Sequence, residues 1–451
     1  MSSIESDLDE GGGRPPRLGS SYLKLFGAHS ISNLGDGMGT IVYPWLASAV
    51  TRNPLLVALV AVVQRLPWLV FTLPAGVITD RVDRRRLIVS MNAVRGLLTL
   101  GVAFAVLGRG GSLPGPDELK QVVRTDGFLY AVVLVSTLLL GIAEVLADNA
   151  GQTLMPSIVD ESLLERANGR LWSVEGVMNQ FLGPPLGSLL LVVAFAVPIF
   201  VDAGTFLASA ALVAAIPGVF RAPQSPAIAA GEAPASWTTD LREGFGWLWR
   251  HPLLRPMAII LGLMNMASMV SGAVFVLWAQ EVLNVGPVVF AIVGMGGAVG
   301  GIAGGWLTEK IAARLGSGTC LAITLASGAI TSTLIGLTTR WPVVFVLFAV
   351  EIFAGTLWNV ITVSLRQRLI PDHLLGRVNS VYRFFAWGSM PIGAAIGGVV
   401  VATTDSFTTR DWALRSTWFV GGAIYFALFV VGRQKLTTAK IDAARAAVVN
   451  V

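Results

Sequence analysis

Charge is scarce in this chain: Asp, Glu, Lys and Arg together make up 13% of its 451 residues, against roughly 25% in soluble domains. Cysteine is scarcer still, since Cys320 stands alone. That excludes an intrachain disulfide framework and a cysteine-based metal site within one chain. Histidine is limited to His29, His251 and His373, too scattered for a His-rich metal centre. No Gly-x-x-x-x-Gly-Lys loop occurs, so ATP is not expected as a direct fuel. No nucleophile, metal-ligand or cofactor constellation rises above background, and neither an enzyme nor a cofactor is expected.

The chain has apolar length instead. Its hydrophobic fraction is 54%, with 50 glycines and a mean hydropathy of +0.70. A membrane-spanning helix needs about 20 mostly apolar residues. Twelve segments meet that need, approximately 22–51, 55–79, 87–108, 127–152, 169–194, 196–220, 253–281, 286–308, 318–339, 341–366, 379–403 and 414–433. The predicted fold class is therefore an all-α membrane protein of twelve transmembrane helices.

Residues 76 to 86 read Gly-Val-Ile-Thr-Asp-Arg-Val-Asp-Arg-Arg-Arg, a burst of charge between two apolar stretches. Positive residues in short loops resist translocation, which places this loop on the cytoplasmic side. With an even number of spans, both termini fall on that side. Counting agrees: with residues at span ends counted in the adjoining loop, 22 of the 32 Lys and Arg fall on the cytoplasmic side and 7 on the outer side, with Arg65, Arg95 and Arg383 deeper inside spans. The net charge of +5 is thus a matter of topology, and no nucleic-acid partner is implied. Residues 1–20 carry acids ahead of Gly-Gly-Gly-Arg-Pro-Pro and are expected to form a disordered cytoplasmic tail. Residues 436–451 are expected to form a second cytoplasmic tail.

The sequence repeats itself. Gly305-Trp-Leu-Thr-Glu-Lys returns the Gly76 motif in degraded form, 229 positions later. Gln152-x-x-x-Pro156 with Leu163-Leu164 and Arg166-x-Asn168 reappears as Gln367-x-x-x-Pro371 with Leu374-Leu375 and Arg377-x-Asn379, 211 to 215 positions on. Gly183-Pro184-Pro185-Leu186-Gly187 is echoed by Pro391-Ile392-Gly393. Three echoes in one order predict two pseudo-symmetric six-helix bundles, at 21–220 and 252–435. Residues 221–251 would join them through an interfacial helix that begins near Trp237.

Twelve spans in paired halves, a Gly-x-x-x-Asp-Arg-x-x-Arg-Arg loop after span 2 and a Gly-Pro-x-x-Gly element in span 5 together resemble the major facilitator superfamily. Asn33-Leu-Gly-Asp36, Arg65-Leu-Pro-Trp68 and the Gln152 to Asn168 stretch look like the drug-exporter branch that includes macrolide-efflux and enterobactin-export proteins. The resemblance implies alternating access, with the two halves rocking about a site near the bilayer midplane. It implies a gating role for the loop residues Gly76, Asp80, Arg81, Arg84 and Arg85, with Asp148 as the acid facing Arg84. The family usually has glycine where this chain has Asp83. Gly183, Pro184 and Gly187 are similar to the family's antiporter motif, with Ser188 in place of its last glycine. The span-4 arginine often linked to proton coupling is missing.

Charges inside spans are costly, at about 2.5–3.5 kcal/mol each near the bilayer centre, so those present must pair, meet water or sit near a rim. Asp36, Arg65, Arg95, Glu144, Asp148, Glu175, Asp202, Glu351 and Arg383 all fall within spans or at their ends. His29, Asn33, Asp36 and Thr40 share one stripe of a helix, as do Glu351, Gly355, Trp358, Asn359 and Thr362. A proton carrier is a carboxylate whose surroundings alternate between wet and dry, and Asp36, then Glu144, then Glu351 are the leading choices. Asn33, Asn359 and Trp358 are expected to line the same cavity. An ion pair with Arg65 or Arg95 that merely holds helices together is the competing reading.

Met264, Met266, Met269, Phe275 and Trp278, with Trp358, would give an adaptable pocket for amphipathic molecules. The functional expectation is a monomeric, proton-coupled exporter of small drug-like molecules in the cytoplasmic membrane. Its partners would be a small-molecule substrate, protons and the lipid bilayer. Export of one endogenous metabolite such as a siderophore, and uptake symport, are the alternatives.

Overall fold

The computed structural model describes residues 18–109, 113, 115, 119, 124–221 and 237–449. The described residues are helical, with no strand among them. The expected tail at 1–20 falls almost wholly outside them, as does the 222–236 part of the linker.

Ten helical runs are long and apolar enough to cross a membrane. Two of the twelve expected spans do not meet that measure. The first, α1 (Ser20–Val50), is 31 residues long, but Ser30, Ser32, Asn33, Asp36 and Thr40 dilute its hydropathy. The second is split into α2 (Pro54–Val70) and α3 (Thr72–Arg81) by a break at Phe71, leaving α2 apolar but only 17 residues long.

Helix starts follow local chemistry. Asn53 caps α2 by accepting from the Leu55 N–H, with Pro54 in the first turn where its missing N–H costs nothing. Asp83 caps α4 (Arg84–Gly108) and Asp126 caps α5 (Gly127–Ile158) in the same way. The fifth span is α6 (Leu164–Gly176), a π-helical stretch from Val177 to Leu182, and α7 (Gly183–Val193). The prolines explain the π turn: Pro184 and Pro185 withhold the N–H groups that the Gln180 and Phe181 carbonyls would meet in α register. The first half closes with α8 (Ala196–Ala214).

The predicted interfacial helix is present as α9 (Trp237–Arg250). His251 follows it, and its Nδ1 accepts from the Leu253 and Leu254 N–H groups. Burial lowers the pKa of His251, which keeps the ring neutral and able to accept. Beyond it run α10 (Leu254–Gly272), α11 (Phe275–Glu281), α12 (Pro287–Leu315), α13 (Ser317–Leu337), α14 (Trp341–Leu369), α15 (Asp372–Asp405) and α16 (Arg410–Lys435). The expected C-terminal tail is largely a helix, α17 (Thr438–Val449). It docks because Thr438 accepts from the Gly318 N–H (3.1 Å) and Arg445 reaches Ser317 (2.9 Å).

Helix neighbours in the first half recur in the second. Where α4 packs on α5 and α8, and α2 on α5, so α13 packs on α14 and α16, and α12 on α14. The glycine echo follows the same rule. A Cβ on Gly183 would stand 2.6 Å from the Gly37 Cα, and one on Gly187 would stand 2.9 Å from the Met38 Cα, so α7 lies backbone to backbone on α1. Likewise, Gly393 and Gly397 of α15 press on the Met266 and Val270 carbonyls of α10.

Three apolar cores show how the halves meet. One runs through both, joining Trp45, Leu46, Val57, Leu129 and Leu191 to Trp278, Phe290, Ala394 and Trp418. It sits at the end of the molecule where α1 finishes and α2 begins. At the opposite end, which carries both described termini, each half keeps its own core. One is drawn only from residues 18–216 and the other only from 248–441. Between them, α2 and α15 run antiparallel in contact from Pro54 against Gly398 to Trp68 against Trp387, whose rings are 5.2 Å apart. That is about 20 Å of helix. Past it α3 packs on α5, and the start of α15 packs on α9. The halves are therefore joined at one end and parted at the other.

A methyl group at Gly37 would meet the Met178 carbonyl at 2.7 Å and the Asn179 Cα at 2.9 Å, both backbone atoms that cannot turn aside. Gly37→Ala is expected to destabilise the protein by about 1–3 kcal/mol, read as a lower thermal midpoint of the purified protein in lipid, whereas Gly76→Ala, in open space, should leave the midpoint almost unchanged.

Candidate functional site

The acids and bases of the first half converge. Asp36 on α1 is ion-paired with Arg95 on α4, whose side chain is almost fully buried and whose guanidinium also rests on the Phe206 ring of α8, 3.9 Å from its centroid. Glu144 and Asp148 on α5 and Asp202 on α8 lie within electrostatic reach of the same Arg95. Arg65 on α2 faces Glu144 without forming an ion pair among the described residues. His29, one helical stripe along from Asp36, meets Glu175 at 3.4 Å.

A cavity of about 70 Å³ opens among Asp36, Thr40, Tyr43, Arg95, Thr137, Glu144 and Asp202. It is far smaller than the roughly 300 Å³ or more that a drug-sized ligand occupies, so it suits protons or water rather than cargo. No group of three or more His, Cys, Asp or Glu side chains among the described residues is arranged to hold a metal. Asn33 does not line this cavity. It donates to the His29 carbonyl (2.8 Å) and accepts from Asn179 of the π turn (2.6 Å), pinning α1 to the fifth span.

Glu351, the third candidate proton carrier, lies in the second half as its span implies, on α14 near Tyr425, which in turn bonds Ser268 (2.9 Å). Asn359 is exposed. Trp358 is wholly buried in the core of the second half, and Trp278 in the core that spans both. Two members of the expected aromatic cargo pocket are therefore packed core: Trp278 lies against Phe275 and Trp418 at 5.9 and 5.3 Å, and both tryptophans are fully buried. Period-3.6 spacing identifies a helix face but does not distinguish a core from a channel.

The loop after α3 is also arranged differently from expectation. The side chain of Asp80 lies outside the described residues. Arg81 is exposed. Arg84 does not face Asp148; it donates to the Thr153 carbonyl (2.9 Å) and to Ser157. Arg85 donates to the Ile216 carbonyl at the end of α8. Asp83, where the family usually has glycine, accepts from the Arg86 and Phe220 N–H groups, both at 2.8 Å, and so ties the loop to the end of the sixth span. Burial opposes ionisation of Asp83, but those two N–H groups and the charges of Arg85 and Arg86 outweigh it, and its pKa lies below the ordinary value.

Across the joined end lies a polar latch that sequence reasoning missed. Arg52, between α1 and α2, holds Gln280 and Glu281 at the end of α11. Arg410 donates to Glu281 (3.0 Å), to Asp405 (3.2 Å) and to the Arg52 carbonyl (2.9 Å), while Gln280 donates to Ser48 (2.9 Å). Each residue alone reads as an ordinary charge or amide at a span end. Only the fold brings residues 228 to 358 positions apart together.

The family model described as Major Facilitator Superfamily matches residues 25–395. The chain belongs to the Major Facilitator Superfamily. Among its relatives, the multidrug efflux pump Tap of Mycobacterium tuberculosis is 25% identical over 401 residues, covering 85% of this chain and 88% of Tap. The enterobactin exporter EntS of Shigella boydii is 24% identical over 431 residues, covering 94% and 95%. A solved bacterial homologue of the iron transporter ferroportin, in its inward-facing state, superimposes with a TM-score of 0.68 over 93% of this chain and 99% of that one, at 14% identity. The nucleoside transporter NupG gives 0.65 over 92% and 99%, at 12% identity. At such identities the structures establish the fold alone. As a superfamily member the chain is an integral membrane transporter of a small-molecule substrate.

Two predictions follow from the loop and the latch. Because the pKa of Asp83 is depressed, its stabilisation is complete above the unfolded value of about 3.9 and fades as pH falls through the lower folded value. Asp83→Ala should cost about 1 kcal/mol at pH 7, seen as a lower melting midpoint, and the gap from wild type should close under strong acid. Glu281→Gln removes the charge that two arginines share, at a cost of about 2–5 kcal/mol to the joined end. In a Cys320→Ser background, Ala49→Cys should be labelled by a membrane-impermeant maleimide several-fold faster once Glu281→Gln is added. Equal labelling rates would show that the latch does not hold this end shut.

Proposed function

We propose that this transporter is a secondary exporter of small amphipathic molecules, driven by proton entry and working by alternating access between two six-helix bundles, twelve spans in all. The bundles would be residues 21–220 and 252–435, tethered by the 221–251 linker, with both termini cytoplasmic. The excess of Lys and Arg at the terminal-bearing end supports that orientation, which makes the parted end cytoplasmic and the latched end external.

The observation that carries the coupling is the buried Asp36–Arg95 pair and its surroundings. Among the described residues, Asp36, Glu144, Asp148 and Asp202 have two arginines near them within the spans, Arg65 and Arg95, while His29, also beside Asp36, is taken up by Glu175. Hydrocarbon does not tolerate two uncompensated negative charges, so the cluster must bind protons. A proton on Asp36 releases Arg95, and the helices that the pair joins, α1 and α4, gain freedom to shift. No phosphate-binding loop exists to supply another fuel, and each proton moved inward gives about 2.3 kcal/mol per 100 mV of membrane potential.

Export is supported by the relatives Tap and EntS and by the Gly183-Pro184 element that resembles the antiporter motif. Kinship with EntS favours a second reading, in which the cargo is one endogenous metabolite such as a siderophore. A susceptibility and accumulation screen comparing a deletion strain with an overexpressing strain separates the two. A broad set of affected compounds supports drug export, and one secreted metabolite supports the other reading. For the coupling itself, Asp36→Asn should abolish pH-gradient-driven uptake into inside-out vesicles while sparing substrate exchange. Undiminished gradient-driven transport would remove Asp36 from the role.

A further inference from the structure

Asp202 belongs to the acid cluster but has no role of its own in the mechanism described so far, yet its position is closely specified. It is almost fully buried on α8, and among the described residues no cation is within ion-pair distance. Among the described residues its carboxylate makes one side-chain hydrogen bond, a long one of 3.5 Å from the Thr205 hydroxyl. A methyl group at Gly35 would collide with the Asp202 carboxylate and with Thr205, so glycine at that position lets Asp202 lie against α1 one residue from Asp36. Arg95 sits between them, paired with Asp36 and resting on Phe206, one turn along α8 from Asp202.

The cavity that Asp36 and Asp202 both line has room for about two waters at roughly 30 Å³ each. The hydroxyls of Tyr43 and Thr137 are among the groups that border it. Both are buried; Thr137 has no hydrogen-bond partner among the described residues, and the Tyr43 hydroxyl has the Thr99 hydroxyl near it but beyond hydrogen-bond length. Buried polar groups are almost always satisfied by protein or by ordered water, and a pocket ringed by carboxylates and hydroxyls supplies the two to four partners that a water needs.

We propose that Asp202 is a second proton-carrying carboxyl of the transport cycle, joined to Asp36 by water held in this cavity. The proposal rests on the proton-coupled reading above. In the step, the O–H bond of protonated Asp202 breaks, its proton passes through the water, and a new O–H bond forms on Asp36. Arg95 leaves Asp36 and pairs with the Asp202 carboxylate. One proton moves and one cation changes partner, so the net charge within the hydrocarbon stays constant and the exchange avoids the cost of isolated charge. The groups that face this exchange are Asp36 and Tyr43 from α1, Arg65 from α2, Arg95 from α4, Glu144 and Asp148 from α5, and Glu175 from α6 with its partner His29.

Infrared difference spectroscopy of the full-length protein in lipid, stepped across pH, tests this without cargo. Wild type should show protonated-carboxyl bands, one of which disappears in Asp202→Asn, and Asp36→Asn should displace the pH at which that band titrates. Thr137→Val and Tyr43→Phe keep every charge and are expected to fold; each should shift the frequency of the same band by removing a hydroxyl from the water network. A spectrum unchanged by Asp202→Asn would overturn the proposal. If Asp202→Asn does not fold, an Asp36→Asn, Thr137→Val and Tyr43→Phe set that leaves every carboxyl band in place would do the same. A separate measurement of pH-gradient-driven transport by wild type judges the coupling: a titrating Asp202 band in a transporter indifferent to the gradient keeps this site and removes the coupling reading instead.

Discussion

Hydrocarbon cannot solvate charge, and in this protein that constraint decides where almost everything else goes. At a few kcal/mol per unpaired ion, the charges within the first half would exceed the net stability of a typical domain if left alone. They are collected into one cluster in which Arg95 serves several carboxylates and a small polar cavity borders the remainder. The helices that build the cluster, α1, α4, α5 and α8, pack on one another, with α8 meeting α1 at Gly35 and α4 at Gly96. A change of one proton in such a place alters the balance among whole helices, because packed interiors shift between discrete arrangements and do not deform smoothly.

The same economy governs the contact between the halves. One apolar core spans both at the latched end, and Arg52, Glu281 and Arg410 close over it with each charge answered by another. At the other end each half is complete in itself. An arrangement held at one end by a dry core and a few ion pairs can exchange its closed and parted ends without unfolding either half, which is what alternating access requires.

The sequence was read correctly where a single physical rule applied. Apolar length and the Arg-rich loop identified a helical membrane protein, the echo of Gly183-Pro184 in Pro391-Gly393 matched two equivalent backbone contacts, and the pairing of Asp36 with Arg95 was one of two anticipated. It failed where a choice among faces was needed. Trp358 shares a stripe with polar residues yet is core, as is Trp278, since periodicity reports that a residue lies on a face and says nothing of what the face meets. Arg84 was expected to meet Asp148 and instead binds a backbone carbonyl one turn farther along α5. The latch left no trace in one dimension, being made of ordinary polar residues whose partners are hundreds of positions away. Asp202 was visible as a misplaced charge, but only the glycine opposite it reveals how near it stands to α1.

The central claim is that the state of the buried charge cluster determines which end of the molecule is open. Pulsed electron spin resonance measures this most directly, using spin-label pairs in a Cys320→Ser background: Arg81→Cys with Glu309→Cys across the parted end, and Thr125→Cys with Thr408→Cys across the latched end. The account predicts a long, broad distance at the first pair and a short, narrow one at the second, with Asp36→Asn shortening the first as it lengthens the second. Distances that ignore Asp36→Asn, or that change together in the same direction, would contradict it.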